Sequence, residues 1–144
     1  MDSSASNPNC VRVVDNAPTY WEFIRQLRCD PRVQDAFIER ASISPEQQVE
    51  YMNRHGGRFV VGLVGDSPAG YAGSIDRDIR VCVHPDFQGL GVGRRLIEAL
   101  LERFPDSVAR IKIQNKASIA LFTSCGFNEV MVVMAPARPV SERM

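Results

Sequence analysis

Long hydrophobic runs are missing from this chain. No apolar stretch approaches the roughly 18–20 residues that span a bilayer. Net charge is missing as well: Lys and Arg together number 17, as do Asp and Glu, so the formal charge is zero. That balance argues against broad nucleic-acid binding and against a polybasic membrane surface. The four cysteines, Cys10, Cys29, Cys82 and Cys125, offer no CxxC spacing, and neither His55 nor His84 stands beside a cysteine pair. No metal site is expected, and free thiols in a reducing compartment are. The start of the chain lacks the basic and apolar regions of a signal peptide. Residues 1–10 are therefore expected to be a disordered tail on a cytoplasmic protein. No repeat or linker divides the remainder, so residues 11–144 are expected to form one domain with a hydrophobic core.

What is present is a change of period along the chain. Residues 11–14 read as a first strand. Thr19 and Glu22 have the spacing of a capping box, with Phe23, Ile24 and Leu27 following at helical intervals. Cys29-Asp30-Pro31 interrupts that helix, and a second periodic segment runs from about Arg32 to Ile38. Ser44, Pro45 and Gln47 predict another helix start. It should end at His55-Gly56-Gly57 on a left-handed glycine cap. Strands are expected over 58–65, 71–75 and 78–83, with 66–70 as turn chemistry. In 78–83, Ile79, Val81 and Val83 alternate with Asp78, Arg80 and Cys82. A helix then carries Val92, Leu96, Ile97, Leu100, Leu101 and Phe104 on one face and stops at Pro105. A strand at 109–114, a short helix capped by Asn115 and ending at Cys125-Gly126, a last strand at 128–134 and a tail complete the pattern. This order predicts a mixed α/β sheet with helices on both faces.

Between the strand at 78–83 and the helix at Val92 lies "HPDFQGLGVGRRL", residues 84–96. A helix N-terminus offers free N–H groups and partial positive charge, and glycines let a ligand approach the backbone. Together these make an anion site, usually for phosphate. A tight turn without a ligand is the bland alternative, and three alternating glycines backed by Arg94 and Arg95 fit it poorly. The stretch is not a P-loop, because no Lys-Ser/Thr follows the glycines. It is not a dinucleotide fingerprint either. Counting from Gly89 or Gly91 puts Arg94 or Leu96 where the last glycine belongs.

What the residues do match is Q-x-x-G-x-G, at Gln88, Gly91 and Gly93. This resembles the acyl-CoA pyrophosphate loop of the GNAT superfamily of N-acetyltransferases. The segment 115–127, with Asn115, Leu121, Gly126 and Phe127, is similar to the part of that family where an Asn ends a strand and a helix finishes in Gly-Phe. The likeness covers about residues 11–134. It implies a mixed, mostly antiparallel sheet of six to seven strands flanked by helices on both faces. The strands at 78–83 and 109–114 would splay apart, and pantetheine would pair with the free backbone of Val81, Cys82 and Val83. Gln88, Gly89, Leu90, Gly91, Val92, Gly93 and Arg94 would hold the pyrophosphate, with Asn115 and Phe122 also on the acetyl-CoA side. Arg94 or Arg95 reaching a CoA phosphate stands against a plain solvated arginine.

For chemistry, the resemblance implies direct acetyl transfer from acetyl-CoA to a primary amine in a ternary complex. A backbone N–H near Val81 would stabilise the oxyanion. Asp78 or Asp76 would assist deprotonation, against the alternative of solvated acids paired with Arg77 or Arg80. His84 is a further candidate. The family's tyrosine acid falls on Phe122, which has no proton to give. Water, Tyr20, Tyr51, Tyr71 or Ser118 would have to substitute. A covalent acyl-enzyme at Cys82 is set aside, since no histidine obviously activates it. The run from Leu27 to Tyr51 is similar to family members that acetylate amino-sugar nucleotides. Protein N-termini and polyamine-like amines stay open as acceptors. A catalytically weak acyl-CoA-binding module is the alternative function. No nucleic acid or membrane is expected as partner, and a homodimer would cover the sheet edge left near residue 134.

Overall fold

The structure, a computed structural model, describes residues 10–34, 37 and 42–137. The expected tail lies outside these residues except for Cys10, and so does most of the second half of the 32–38 segment. Four strands form one antiparallel sheet in the order β1 (Val11–Asp15), β2 (Phe59–Val64), β3 (Ser67–Ile75) and β4 (Asp78–Val83). Among the described residues five α-helices accompany it: α1 (Pro18–Arg28), α2 (Pro31–Gln34), α3 (Pro45–His55), α4 (Val92–Arg103) and α5 (Lys116–Ser124).

The sheet is buried on both faces, so β2 reads as one continuous apolar run. Alternation still sorts its side chains. Phe59, Val61 and Leu63 pack with Ile24 and Leu27 of α1 and Met52 of α3. Val60 and Val64 pack with Val92, Leu96, Ile97 and Leu100 of α4. Helices on both faces were expected, and both faces carry them.

Several local expectations are met. Ser44 Oγ accepts from the Gln47 N–H at 3.1 Å while Gln47 Oε1 accepts from the Ser44 N–H at 2.8 Å. Asn115 Oδ1 accepts from the Ser118 N–H at 3.1 Å and caps α5. Other expectations need correction. There is no capping box at Thr19: α1 begins at Pro18 after Ala17, without a side-chain cap. Proline is preorganised there and lacks only an N–H that the helix would leave unpaired. Glu22 turns to Arg25 instead, at 2.7 Å. Gly56 is right-handed, with φ −58°, because a 3₁₀ turn over Gly56–Arg58 carries the chain into β2. Its carbonyl accepts from Asn16 Nδ2 at 3.2 Å. The β2–β3 turn is only Gly65-Asp66, and β3 starts at Ser67. Leu63 pairs with Pro68 and Gly62 with Gly70, so Ala69 is an extra residue. A proline without an N–H is tolerated beside such a bulge.

The sheet has four strands among the described residues, not six to seven. Residues 109–114 and 128–134 are not strands. Just before the first, Val108 makes one parallel bridge to Asp78, and the segment itself then leaves the sheet. Val130 through Met134 are 77–86% exposed. Both segments have β-forming composition, but a strand needs a neighbour to accept its ladder.

Candidate functional site

The β3–β4 hairpin turns on Asp76 and Arg77, whose φ angles are 53° and 68°. That is the two-residue turn matching the right-handed twist of the flanking strands. It fixes the register: Ile75 pairs with Asp78, Gly73 with Arg80 and Tyr71 with Cys82. In an antiparallel ladder, pairs that exchange both hydrogen bonds alternate with pairs that exchange none. The backbones of Asp78, Arg80 and Cys82 therefore face β3, and the His84 N–H continues the series to Ala69 O at 2.7 Å. Ile79, Val81 and Val83 face the other way. Ile79 uses that edge, donating to Val108 O at 2.9 Å, while the Val108 N–H donates to Arg77 O at 2.7 Å. Beyond it, the N–H and C=O of Val81 and Val83 have no partner among the described residues.

The bridge is the pinned end of this gap. Buried Ser74 and Ser107 share a hydrogen bond of 2.6 Å, tying the loop after α4 to β3. From Val108 onward the chain diverges from β4. Two of the three residues expected on the pantetheine strand, Val81 and Val83, thus present free backbone to the gap. Cys82 does not, since its backbone is turned to Tyr71.

The glycine loop stands at the far end of β4. His84 Nδ1 accepts from the Asp86 N–H at 3.0 Å and caps the short turn Pro85–Phe87. That nitrogen is occupied, which leaves the proton of a neutral ring on Nε2. Gly89 and Gly91 have φ of 83° and 84°. This left-handed region favours glycine. Gly93 is close-packed: a Cβ there would lie 2.9 Å from Leu121 Cδ2. The first backbone bond into α4 is Arg95 N–H to Gly91 O at 3.2 Å. Val92, Gly93 and Arg94 therefore keep N–H groups without a helical acceptor. Gln88 and Leu90 are exposed beside them. Arg94 Nε lies 3.7 Å from Glu98 Oε2 on the surface of α4.

The candidate acid–base groups are spread out. Asp76 sits at the exposed hairpin tip, two residues before the start of β4 and so farther along the chain from Val81 than Asp78 is. Asp78 Oδ2 lies 3.7 Å from Arg80 Nε and 3.8 Å from Arg110, and its Oδ1 is buried without a partner. Phe122 is buried in the α4-side cluster, edge-on to Phe127 at 5.0 Å. Tyr71 is buried on the opposite face, where burial pushes its hydroxyl well above the ordinary range. Ser118 is on α5, and Tyr20, on α1, packs against the cluster that holds Tyr71.

Cys82 is also buried, and burial pushes its thiol from an ordinary 9.0 up to about 12. Folding favours the neutral thiol, a preference fully present below the unfolded value and lost as pH rises through about 12. This sits badly with a nucleophilic role. Iodoacetamide at pH near 8.5 should label Cys10, Cys29 and Cys125, which are partly exposed. Cys82 should stay unlabelled until the chain is unfolded; labelling in the folded protein at a comparable rate would contradict its burial.

The run from Leu27 to Tyr51, read as the acceptor region, borders a second feature, a cavity of about 390 Å³ between the end of α1 and α3. Arg28, Gln48 and Tyr51 line it, with Arg54 and His55. Nothing in residue spacing shows that Gln48 Oε1 and the Tyr51 hydroxyl are buried without partners.

A sheet that opens beyond one bridge, next to a glycine-rich helix start, is the architecture expected of an acyl-CoA transferase fold. The comparisons agree. A model of the Acetyltransferase (GNAT) family matches residues 21–127, and the chain belongs to that family. It is 33% identical over 98 residues to the N-alpha-acetyltransferase RimI of Mycobacterium tuberculosis (strain ATCC 25618 / H37Rv), covering 66% of this chain and 61% of that protein. The match thus spans less than two thirds of this relative. Identity to the L-amino acid N-acyltransferase MnaT of Escherichia coli (strain K12) is 46% over 52 residues, 33% of this chain and 30% of that one. In fold it is similar to a GNAT superfamily phosphinothricin acetyltransferase from Sinorhizobium meliloti solved with acetyl-CoA. There the TM-score is 0.70 at 20% identity, covering 82% of this chain and 75% of that one.

Proposed function

We propose that this chain is an acetyl-CoA-dependent N-acetyltransferase that moves the acetyl group to a primary amine by direct attack in a ternary complex. The observation that carries the reading is the free backbone of Val81 and Val83, opening beside the unpaired N–H groups at the start of α4. These residues fit acetyl-CoA. The pantetheine amides would supply the partners that the strand edge lacks, and the N–H groups around Gly89–Arg94 suit a pyrophosphate.

In the reaction the amine nitrogen attacks the thioester carbonyl carbon, the C–S bond breaks, and the amine's proton is lost as the thiol is formed. The Val81 N–H is the donor for the developing oxyanion. Asp78, on the same strand, assists deprotonation through water, since three residues of strand, about 10 Å, separate it from Val81. Asp76 is a weaker candidate at its distance. Phe122 packs against the acyl-CoA side and supplies no proton, so solvent protonates the thiolate. Asn115 holds the start of α5 behind it.

Membership of the family and the activities named in RimI and MnaT support the reading. By name the first acetylates an α-amine and the second acylates an L-amino acid; an amino-sugar nucleotide remains the other acceptor suggested by residues 27–51. A catalytically weak acyl-CoA-binding module is the second reading, favoured by Phe122 in the acid's position. The exposed run Val130–Met134 supports a homodimer in which a second copy covers it. Among the described residues no helix is long and apolar enough to cross a membrane. A cytoplasmic location rests on the unpaired cysteines.

Mixing the protein with acetyl-CoA and a panel of amines while following free thiol separates the two functions. The transferase reading expects amine-dependent thiol release. Stabilisation by CoA without such release would favour the binding module, and no stabilisation by CoA would reject both.

A further inference from the structure

We propose that the amine acceptor carries a carboxylate, as an α-amino acid or a close analogue does, and that Arg28 and Tyr51 hold that carboxylate in the cavity between α1 and α3. The inference rests on the acetyltransferase reading and specifies its acceptor.

Unpaired polar atoms come first. Gln48 is 1% exposed. Its Nε2 donates to Trp21 O at 2.8 Å, yet its Oε1 receives no hydrogen bond. The Tyr51 hydroxyl, one turn along the same helix face, is also buried and unpartnered. A buried polar group left without its hydrogen bond is costly, since it has given up water for nothing. Two of them lining one cavity describe a surface shaped for something polar. Gln48 Oε1 asks for a donor, and the Tyr51 hydroxyl can donate.

Charge then selects the ligand. Arg54 and Glu50 both line the cavity and pair with each other at 2.5 Å, which leaves Arg28 as the unpaired cation of the lining among the described residues. Arg28 has no carboxylate partner among the described residues, and its guanidinium lies 5.8 Å from the centre of the Tyr51 ring. An arginine fork suits a carboxylate, which can accept two parallel N–H bonds. A polyamine would instead bring a second cation toward Arg28.

Location ties the cavity to the reaction. Arg28 ends α1, and Ile24 and Leu27 of that helix pack in one cluster with Tyr71 and Cys82. Cys82 stands between Val81 and Val83. Its side chain faces α1 and α3, while α4 and the glycine loop lie on the other side of the sheet. Acyl donor and acceptor would thus reach β4 from opposite faces. A cavity of about 390 Å³ is at the small end of ligand sites, roughly 300–1,000 Å³. That suits a small metabolite.

The test is steady-state kinetics on the full chain at saturating acetyl-CoA, with thermal stabilisation by CoA measured alongside. The acceptors are the common L-amino acids, the α-carboxamides of those that react, spermidine, a neutral peptide and a UDP-amino sugar. An amino acid should exceed its own carboxamide in kcat/KM by tenfold or more. Arg28→Gln should raise KM for that amino acid at least tenfold, leave KM for the carboxamide within twofold, and leave KM for acetyl-CoA unchanged. Tyr51→Phe, which keeps the ring, should raise the amino-acid KM by a few fold. Equal use of acid and amide, or preference for spermidine, the peptide or the UDP-amino sugar, overturns the proposal while CoA stabilisation and amine acetylation leave the transferase standing. Loss of CoA stabilisation in the unaltered chain overturns both.

Discussion

Gly91→Glu abolishes CoA binding, weakening it on the order of a hundredfold or more, which corresponds to about 3 kcal/mol. The residue is the N-cap of α4 with φ 84°, so its carboxylate would project among the N–H groups proposed for the pyrophosphate. Two unit charges 4 Å apart repel by about 1 kcal/mol in water and about 4 kcal/mol near a protein surface, and a pyrophosphate carries more than one. Gly91→Ala is the control. It shares the strained backbone but adds no charge, and its Cβ meets nothing within 4 Å. The alanine variant should lose about 1–2 kcal/mol of stability from the left-handed conformation and change CoA affinity by a few fold at most. Titration calorimetry on the pair separates charge from strain. A glutamate variant that binds like the parent would show that the phosphates lie elsewhere.

Leu96→Ala should be the most damaging single truncation for the fold, costing about 2–5 kcal/mol. The side chain is fully buried in the α4-side cluster. It also fills the space over two glycines: a Cβ on Gly62 or Gly70 would come within 3.3 and 3.2 Å of its atoms. With so little facing side chain from the sheet, collapse into the cavity would be limited. A drop in melting temperature on the order of 10 °C is expected. CoA should restore part of it, because a ligand that binds only the folded state stabilises by mass action. A change of under 2 °C would mean that α4 is not anchored through this residue.

How much of this was legible in the residues follows their reach along the chain. The Ser44–Gln47 box, the Asn115 cap and the glycine loop are local, formed within a few positions, and stand where spacing predicts, while the equally local Thr19–Glu22 box and left-handed Gly56 cap give way to Pro18 and to the 3₁₀ turn into β2. Pairing is not local. The segments 109–114 and 128–134 have strand composition, yet nothing in it reveals that the first leaves the sheet after the Val108 bridge. Composition is equally silent on the second lying exposed. The same holds within β4, where alternation of side chains is plain. That Val81 and Val83, and not Cys82, offer free backbone depends on the Asp76-Arg77 turn setting the register. The cavity beside α3 was least legible, because an orphaned atom such as Gln48 Oε1 exists only once its neighbours are in place.

The central claim is that the open edge of β4 receives the acyl donor. Amide hydrogen exchange, resolved at single residues with and without CoA, tests it most directly. The Val81 and Val83 amides should exchange fast in the free protein and slow at least tenfold when CoA is bound. The Arg80 and Cys82 amides, already paired with β3, should change little. Unchanged exchange at Val81 and Val83 while CoA demonstrably binds would contradict the account.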